Sequence, residues 1–296
     1  MTTTLRIVHT TGYNYSDPVS DSFNEIRMTP LYTSQQLIRE QSVTITPKPW
    51  SYSFIDYWGT HVTSFELHEP HDQMIVGVTT TLDVDAAPST RTGLTVADMA
   101  EHEDALNEFL GFSPMVEPSE DLLTRTREIA DNEETVDEIA LAVGRLIYEE
   151  MTYESGSSDV TGTAAQAWEA RKGVCQDFSH IMVGALRSVG IAARYVSGYV
   201  LPKKDAEIGE TVDAESHAWV QWFNDGDNNG WFSFDPTNNV VPGELHVIVG
   251  TAREYGDVPP LKGMFSGQAA AELFGTGRMT RLGLGRAQKN PAAGAL

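Results

Sequence analysis

The sequence predicts an α+β protein in which an antiparallel, sandwich-like β domain precedes a core of helices and a second antiparallel sheet. The first 85 residues carry runs rich in valine, isoleucine, threonine and aromatic residues, separated by proline and glycine. Amphipathic helical patterns begin only after residue 118. Further strand patterns follow the last clear helix, so strands and helices are segregated along the chain rather than alternating.

The β domain is predicted from segments in which several residues alternate between apolar and polar. These segments are 4–11, 42–46, 52–58, 61–69 and 73–85. A stretch of alanine, proline, serine, threonine and glycine at 86–93 then ends the pattern. We therefore predict a β domain over 1–88 and an acidic connector over 89–116.

Four helices are predicted next, each from a local signal. Ser119, Thr135 and Thr163 are plausible N-caps for the first three helices, and Gly173 is a plausible end of the third. The fourth begins after the cysteine and ends at Gly190. Its apolar residues recur every three or four positions, at Phe178, Ile181, Met182, Ala185, Leu186 and Val189.

The second sheet is predicted from strands at 191–201, 216–223 and 230–236. The polar turn NDGDNN joins the last two strands as a hairpin. Helices and hairpin together make a predicted catalytic core over 117–267. Residues 268–296 are rich in glycine and alanine and are predicted to form a loose tail.

The charge of the chain argues against several classes of partner. Its 42 acidic and 20 basic residues give a formal net charge of −22 over 296 residues. Phosphate contacts require clustered lysine and arginine, so we expect neither nucleic acid nor an anionic membrane surface as a partner. We read no membrane span and no signal peptide, and one cysteine forms no internal disulfide, so we expect a cytoplasmic protein.

The single cysteine, Cys175, follows Gly173 and Val174 where a loop gives way to a helix. Unpaired backbone N–H groups at a helix start stabilise a thiolate, which is the nucleophilic form of the side chain. Free cysteines are also common as small buried hydrophobic residues. Position alone therefore leaves both roles open.

A histidine and an aspartate give Cys175 possible partners. His217 begins one strand of the predicted hairpin, and Asp235 ends the other. The start of one hairpin strand lies beside the end of its partner, so these side chains should meet. A carboxylate at that distance orients an imidazole and favours its charged form.

Three segments of the sequence resemble the catalytic blocks of the transglutaminase-like superfamily, a branch of the papain-like thiol enzymes. They are GVCQDFSHIMVGALRSVGIAARYVSGYV, SHAWVQWF and GWFSFDPTNN. The segment at 9–30 resembles the β domain of bacterial members, and 251–267 is similar to the segment that follows their core. The resemblance implies a papain-like core, with Cys175 as nucleophile, His217 as general base and acid, and Asp235 as orienting carboxylate.

The implied reaction is acyl transfer on amide bonds of peptides or protein side chains. We expect hydrolysis rather than crosslinking, because water is always present and transamidation requires its exclusion. The Cys175 N–H is the natural first donor to the oxyanion. Tyr153 and Trp168 are candidates for a second donor, and Trp219 should lie near the site because it shares the face of His217.

Other functions find less support in the sequence. The cluster His68 to Asp72 lies at a proline-containing turn without the convergent spacing that zinc requires. We therefore predict no metal and no cofactor. A transamidating enzyme, a thiol enzyme with a non-protein amide substrate and a non-catalytic binding module of the same fold remain alternatives. Calcium dependence and oligomeric state stay open.

Overall fold

The computed structural model describes residues 2–85, 90–156 and 161–284. The strands are β1 Thr2–Ile26, β2 Gln36–Thr46, β3 Trp50–Ile55, β4 His61–Leu67, β5 His71–Asp85, β6 Thr152–Tyr153, β7 Lys172–Gly173, β8 Ala193–Val200, β9 Thr211–Asp213, β10 Ser216–Phe223, β11 Trp231–Phe234, β12 His246–Ala252, β13 Leu261–Ser266 and β14 Ala271–Leu284. The α-helices are α1 Glu103–Leu106, α2 Glu120–Ala130, α3 Val136–Glu150, α4 Ala164–Ala170, α5 Cys175–Ser188 and α6 Asp227–Gly230. Short 3-10 helices span Asp98–His102, Asn107–Phe109 and Tyr255–Asp257. Within the described ranges, no helix is both long and apolar enough to cross a membrane.

The N-terminal domain is built on the long strand β1. The first half of β1 pairs with β5 and β14, and its second half pairs with β4 and β13. Apolar side chains from both halves form one buried cluster, which includes Phe65 and Met74. The sandwich-like β domain predicted from the sequence is therefore confirmed, because burial of apolar faces on both halves is what stabilises such an arrangement.

The C-terminal part of the chain corrects one prediction. Instead of a loose tail from residue 268, Ala271–Leu284 form β14, which pairs with β1 from Thr3↔Leu284 to Tyr15↔Ala271. Backbone pairing with β1 and burial of Met279 fix this strand even though its residues are mostly polar or small. Residues 285–296, the rest of the predicted tail, lie outside the described residues.

The second domain is a four-stranded antiparallel sheet, in the order β11-β10-β8-β12, with helices packed on it. Helix α5 lies at the centre and contacts α2, α3 and α4 as well as β8 and β10. The apolar positions predicted for this helix are buried, apart from the half-buried Val189. Burial on nearly all sides makes α5 a fixed support for whatever stands at its first residue.

Local capping explains where the helices begin. Ser119, Thr135 and Thr163 each accept a hydrogen bond from the backbone three residues later, as predicted. Gly190 adopts a φ of +80° directly after α5, also as predicted. The predicted stop at Gly173 was wrong, because α4 already ends at Ala170 and Arg171 takes the left-handed conformation.

The segment predicted as an acidic connector contributes to the core. Met99 and Leu106 are buried in the cluster around α5, while most acidic side chains nearby are exposed. The backbone N–H of Thr92 also donates to the carboxylate of Asp137 at 2.7 Å. The segment therefore covers one side of the helical core instead of merely linking the two domains.

Candidate active site

Cys175 is the first residue of α5 and is half-buried. The Asp177 carboxylate accepts the backbone N–H of Val174 at 2.8 Å and so fixes the turn that precedes the cysteine. A Cβ at Gly173 would lie 2.6 Å from the Asp177 side chain, so only glycine allows this close approach. The Cys175 N–H, at the first turn of the helix, has no acceptor among the described residues.

His217 and Asp235 meet through the hairpin of β10 and β11. Val220 pairs with Phe234, so Asp235 lies just beyond the paired end of β11 and reaches back to His217. His217 Nε2 and Asp235 Oδ2 are 2.7 Å apart, and Asp235 is fully buried. The structure thus brings together the two side chains that the hairpin argument expected to meet.

Asp235 is held by more than the histidine. Its Oδ1 accepts the backbone N–H groups of Thr237 at 3.0 Å and Asn238 at 3.2 Å. Its Oδ2 accepts the side-chain amide of Asn238 at 2.7 Å. Burial alone would raise the pKa of Asp235, but the hydrogen bonds from His217, His246 and Asn238 hold it well below its usual range. The carboxylate is therefore ionised and fixed in orientation.

Cys175 and His217 line the same cavity, and Cys175 lies close enough to affect the pKa of the imidazole. Because Asp235 occupies Nε2, Nδ1 is the ring nitrogen that remains for sulfur. Burial alone would lower the pKa of His217, but the hydrogen bonds and negative charges of Asp235 and Cys175 outweigh it and raise the pKa to about 10. The three side chains are of the types that nucleophilic catalysis uses, and the cavity exposes Cys175 and His217 together.

The candidates for a second oxyanion donor occupy very different places. Tyr153 is exposed and lines the same cavity as Cys175. Trp168 is buried in the helical core, where its indole N–H donates to Asp121 at 2.7 Å and Arg171 covers its ring at 3.8 Å. The expectation for Trp168 was therefore wrong, because its donor is already used away from the cysteine.

Trp219 lies beneath the histidine rather than in the cleft. Its ring stacks on His217 with centroids 6.1 Å apart and is fully buried. It was expected near the site, and it is, but it does not line the cavity that contains Cys175. Trp219 therefore supports the orientation of the imidazole and is not placed to contact a substrate there.

Sequence reasoning missed His246 and Tyr195. His246 Nε2 lies 3.3 Å from Asp235 Oδ2, so two imidazoles share this carboxylate. One signal was present, because His246 is the first residue of an apolar strand and His217 is the second residue of another. Tyr195 is buried in the same small cluster as Cys175. Burial raises the pKa of the Tyr195 phenol well above its usual value, and the nearby Cys175 adds to this effect. Nothing local in the sequence of β8 marks that residue.

Three side chains at the site converge closely enough to be metal ligands. Within the described residues, His217, Asp235 and His246 are the one group of three whose ligand atoms lie within 4.8 Å of one another. Their atoms are already joined by hydrogen bonds between the imidazoles and the carboxylate, which accounts for their approach without an ion. His68, from the cluster noted in the sequence, instead pairs with Asp21 and Glu66 on the surface.

A cleft runs past the cysteine and the histidine between the two domains. It consists of two adjoining cavities of about 420 Å³ and about 730 Å³. The smaller cavity contains Cys175, and both cavities are lined by His217 and Glu215. The β domain contributes strand β14 to one wall, so the site is not formed by the second domain alone.

The sequence matches two family profiles. Residues 123–236 match the Transglutaminase-like superfamily, and residues 5–84 match the bacterial transglutaminase-like N-terminal region. An uncharacterized protein of Mycobacterium leprae is 36% identical over 280 residues, covering 94% of this chain and 99% of that protein. A protein-glutamine gamma-glutamyltransferase of Pseudomonas aeruginosa is 31% identical over 101 residues, which are 31% of this chain and 14% of that protein.

The fold also has a counterpart among solved structures. The crystal structure of a "Putative Cysteine Protease" from Cytophaga hutchinsonii superposes with a TM-score of 0.77 at 22% identity. The superposition covers 94% of this chain and 90% of that one, so it includes both domains. Together with the two profiles and the full-length relative, it shows that the chain belongs to the transglutaminase-like superfamily.

Proposed function

We propose that the protein is a thiol enzyme that transfers the acyl group of amide bonds in peptides or protein side chains. The observation that carries this proposal is that Cys175 and His217 line one open cavity, while the buried Asp235 is hydrogen-bonded to His217. Membership of the transglutaminase-like superfamily supports it. The proposed roles are those of nucleophile, general base and acid, and orienting carboxylate.

The reaction would proceed through a thioester. The Cys175 thiolate attacks the amide carbonyl, and the oxyanion that forms is stabilised by the Cys175 N–H at the start of α5. Tyr153 is the proposed second donor, because it is exposed in the same cavity. The His217 imidazolium then gives its proton to the departing amine, the C–N bond breaks, and the acyl group stays on sulfur.

Hydrolysis is the proposed fate of the thioester. Neutral His217 takes a proton from water, the resulting hydroxyl bonds to the acyl carbon, and the C–S bond breaks to release the acid. The cleft favours this outcome because exposed side chains, including those of Tyr153 and Glu215, leave it open to water.

Transamidation is the second candidate, and one observation favours it. Glu215 and Asp213 place two exposed carboxylates in the larger cavity next to His217, and Arg278 lies 3.7 Å from that of Asp213. An amine arriving as an ammonium ion would be attracted to these charges before it attacks the thioester. The name of the Pseudomonas aeruginosa relative, a protein-glutamine gamma-glutamyltransferase, also supports this alternative.

The proposal is tested by incubating the protein with a panel of peptide and side-chain amides, with and without a primary amine. Intact-mass measurement should detect the acyl group on Cys175 and release of the amine from the substrate. Cys175→Ala is the matched control and should show neither. Turnover that survives in Cys175→Ala would refute the proposal, and the acid-to-amide ratio of the products separates hydrolysis from transamidation.

A further inference from the structure

Strand β14 has one edge that is only partly used. One of its edges pairs with β1 along nearly its whole length. Its other edge pairs with β9 only from Arg278 to Thr280. Before Arg278, this second edge has no strand partner within the described residues, although β14 begins at Ala271.

The backbone groups that point to this open edge can be assigned. In an antiparallel sheet, the N–H and C=O of one residue point to the same side, and successive residues alternate. The Gly277 carbonyl accepts the N–H of Ala214 on the β9 side at 2.9 Å. The β1–β14 register is unbroken from Arg281 to Ala271, so Leu273 and Gly275 point the same way as Gly277.

The open edge lies in the cleft that contains the cysteine. Leu273 and Gly275 line the smaller cavity together with Cys175 and His217, and Gly275 also lines the larger one. Their outward N–H and C=O groups have no hydrogen-bond partner in the part of the chain that the structure describes. A row of alternating donors and acceptors therefore lines the cavity that contains the proposed nucleophile.

We propose that the substrate is an extended peptide segment that adds as a further strand to the open edge of β14, which places its scissile carbonyl at Cys175. This inference rests on the proposed acyl transfer and names the class of its substrate. Alternating N–H and C=O groups along a strand edge are complementary to another extended backbone.

The chemistry of the cleft is consistent with such a peptide. The exposed Leu273 and the nearby Leu261 give an apolar surface that a neighbouring side chain of the added strand can cover. The exposed carboxylate of Glu215, which lines both cavities, disfavours an acidic segment there. The occupant must present several consecutive unpaired backbone groups, as an unfolded or loop segment does.

The test uses an N-acetylated tetrapeptide chloromethyl ketone of alternating valine and alanine and the same compound with N-methylated backbone amides. Both alkylate Cys175 by forming a bond between Sγ and the CH₂ group as chloride leaves. The free-amide compound should inactivate the full-length protein about tenfold faster, because N-methylation removes the donors for strand pairing. Each rate is divided by that of iodoacetamide, which needs no strand pairing.

Variants at position 275 locate the effect. Gly275→Pro removes the outward N–H without removing a bond to β1, and it should bring the ratio of the two rates close to one. Gly275→Ala is the control, because its Cβ would make only ordinary contacts, the nearest 3.7 Å from Thr11, and its N–H is kept. This variant should retain the tenfold ratio.

The results separate the two proposals. Equal rates for the two peptides in the unsubstituted protein, or an unchanged ratio in Gly275→Pro, would overturn strand addition while leaving the thiol chemistry intact. Slow modification of Cys175 by iodoacetamide itself would instead argue against the proposed function. The comparison of the two peptides needs no variant, so it stands even where Gly275→Pro does not fold.

Discussion

At the scale of single residues, the site is organised around the carboxylate of Asp235. One oxygen is held by the turn that follows it, and the other accepts hydrogen bonds from His217, His246 and Asn238. A buried carboxylate with this many donors is fixed in both charge and direction. In the proposed mechanism, the orientation of His217, and through it the reactivity of Cys175, depends on a side chain that does not itself line the cleft.

Asp235→Asn should leave the fold intact and lower turnover by about two to four orders of magnitude. The amide keeps the shape of the side chain but not the charge that supports the imidazolium. Turnover of an amide substrate and circular dichroism measure the two effects. Asn238→Ala removes only one donor to Asp235 and should cost less than Asp235→Asn. Unchanged turnover in Asp235→Asn would remove this residue from the proposed mechanism.

The raised pKa of His217 predicts the pH dependence of alkylation. With that pKa at about 10, the imidazolium is retained from acidic pH to beyond neutrality and is lost only as the pH rises through about 10. Free cysteine, with a pKa of about 8.5, is only about 0.3% ionised at pH 6. Iodoacetamide should therefore modify Cys175 far faster than free cysteine at pH 6.

His217→Asn supplies the control for this measurement. Without an imidazolium beside the sulfur, the rate at pH 6 should fall towards that of free cysteine. Slow labelling of the unsubstituted protein at pH 6 would favour the alternative in which Cys175 is merely a half-buried apolar residue.

At the scale of elements, helix α5 and the β10–β11 hairpin hold the site from two sides. The helix presents Cys175 at its first residue because the turn before it is closed by Asp177. The hairpin presents His217 and Asp235 from neighbouring strands. A small displacement of either element would separate sulfur from imidazole, so close packing of α5 matters for the chemistry.

Gly184→Ala tests how tightly α5 is packed. The added Cβ would lie 1.9 Å from the Val116 carbonyl oxygen, so the helix or the segment beneath it must shift. We expect a loss of about 1–3 kcal/mol in the free energy of unfolding, measured by urea denaturation. Gly111→Ala is the control, since no atom lies within 4 Å of its Cβ. Equal stability of both variants would contradict the packing argument.

At the scale of the whole molecule, the two domains are interdependent. The chain leaves the β domain after β5, builds the helical core and second sheet, and returns to pair β13 and β14 with β1. Strand β9, which lies between β8 and β10 in the chain, also joins the N-terminal sheet. The cleft therefore has one wall from each domain, and its shape depends on long-range pairing.

Truncation after Gly267 should prevent stable folding. It removes β14, exposes the edge of β1 from Thr3 to Tyr15, and deletes the buried Met279. Soluble yield and urea denaturation are the measurements. A chain that ends at Leu284 is the matched control, because it keeps the whole of β14. A truncated protein as stable as this control would show that β14 is dispensable for the fold.

The sequence by itself determined the local features of this protein. Ser119, Thr135 and Thr163 could be recognised as helix caps because each cap depends on a side chain and a backbone only three residues away. The meeting of His217 and Asp235 followed from a short hairpin for the same reason. Only the tertiary structure decided the place of β14, the second imidazole on Asp235 and the direction of Trp168. Each of these depends on contacts between segments distant in the chain, and neither a strand of mostly polar or small residues nor a buried indole carries a local signal for its partner.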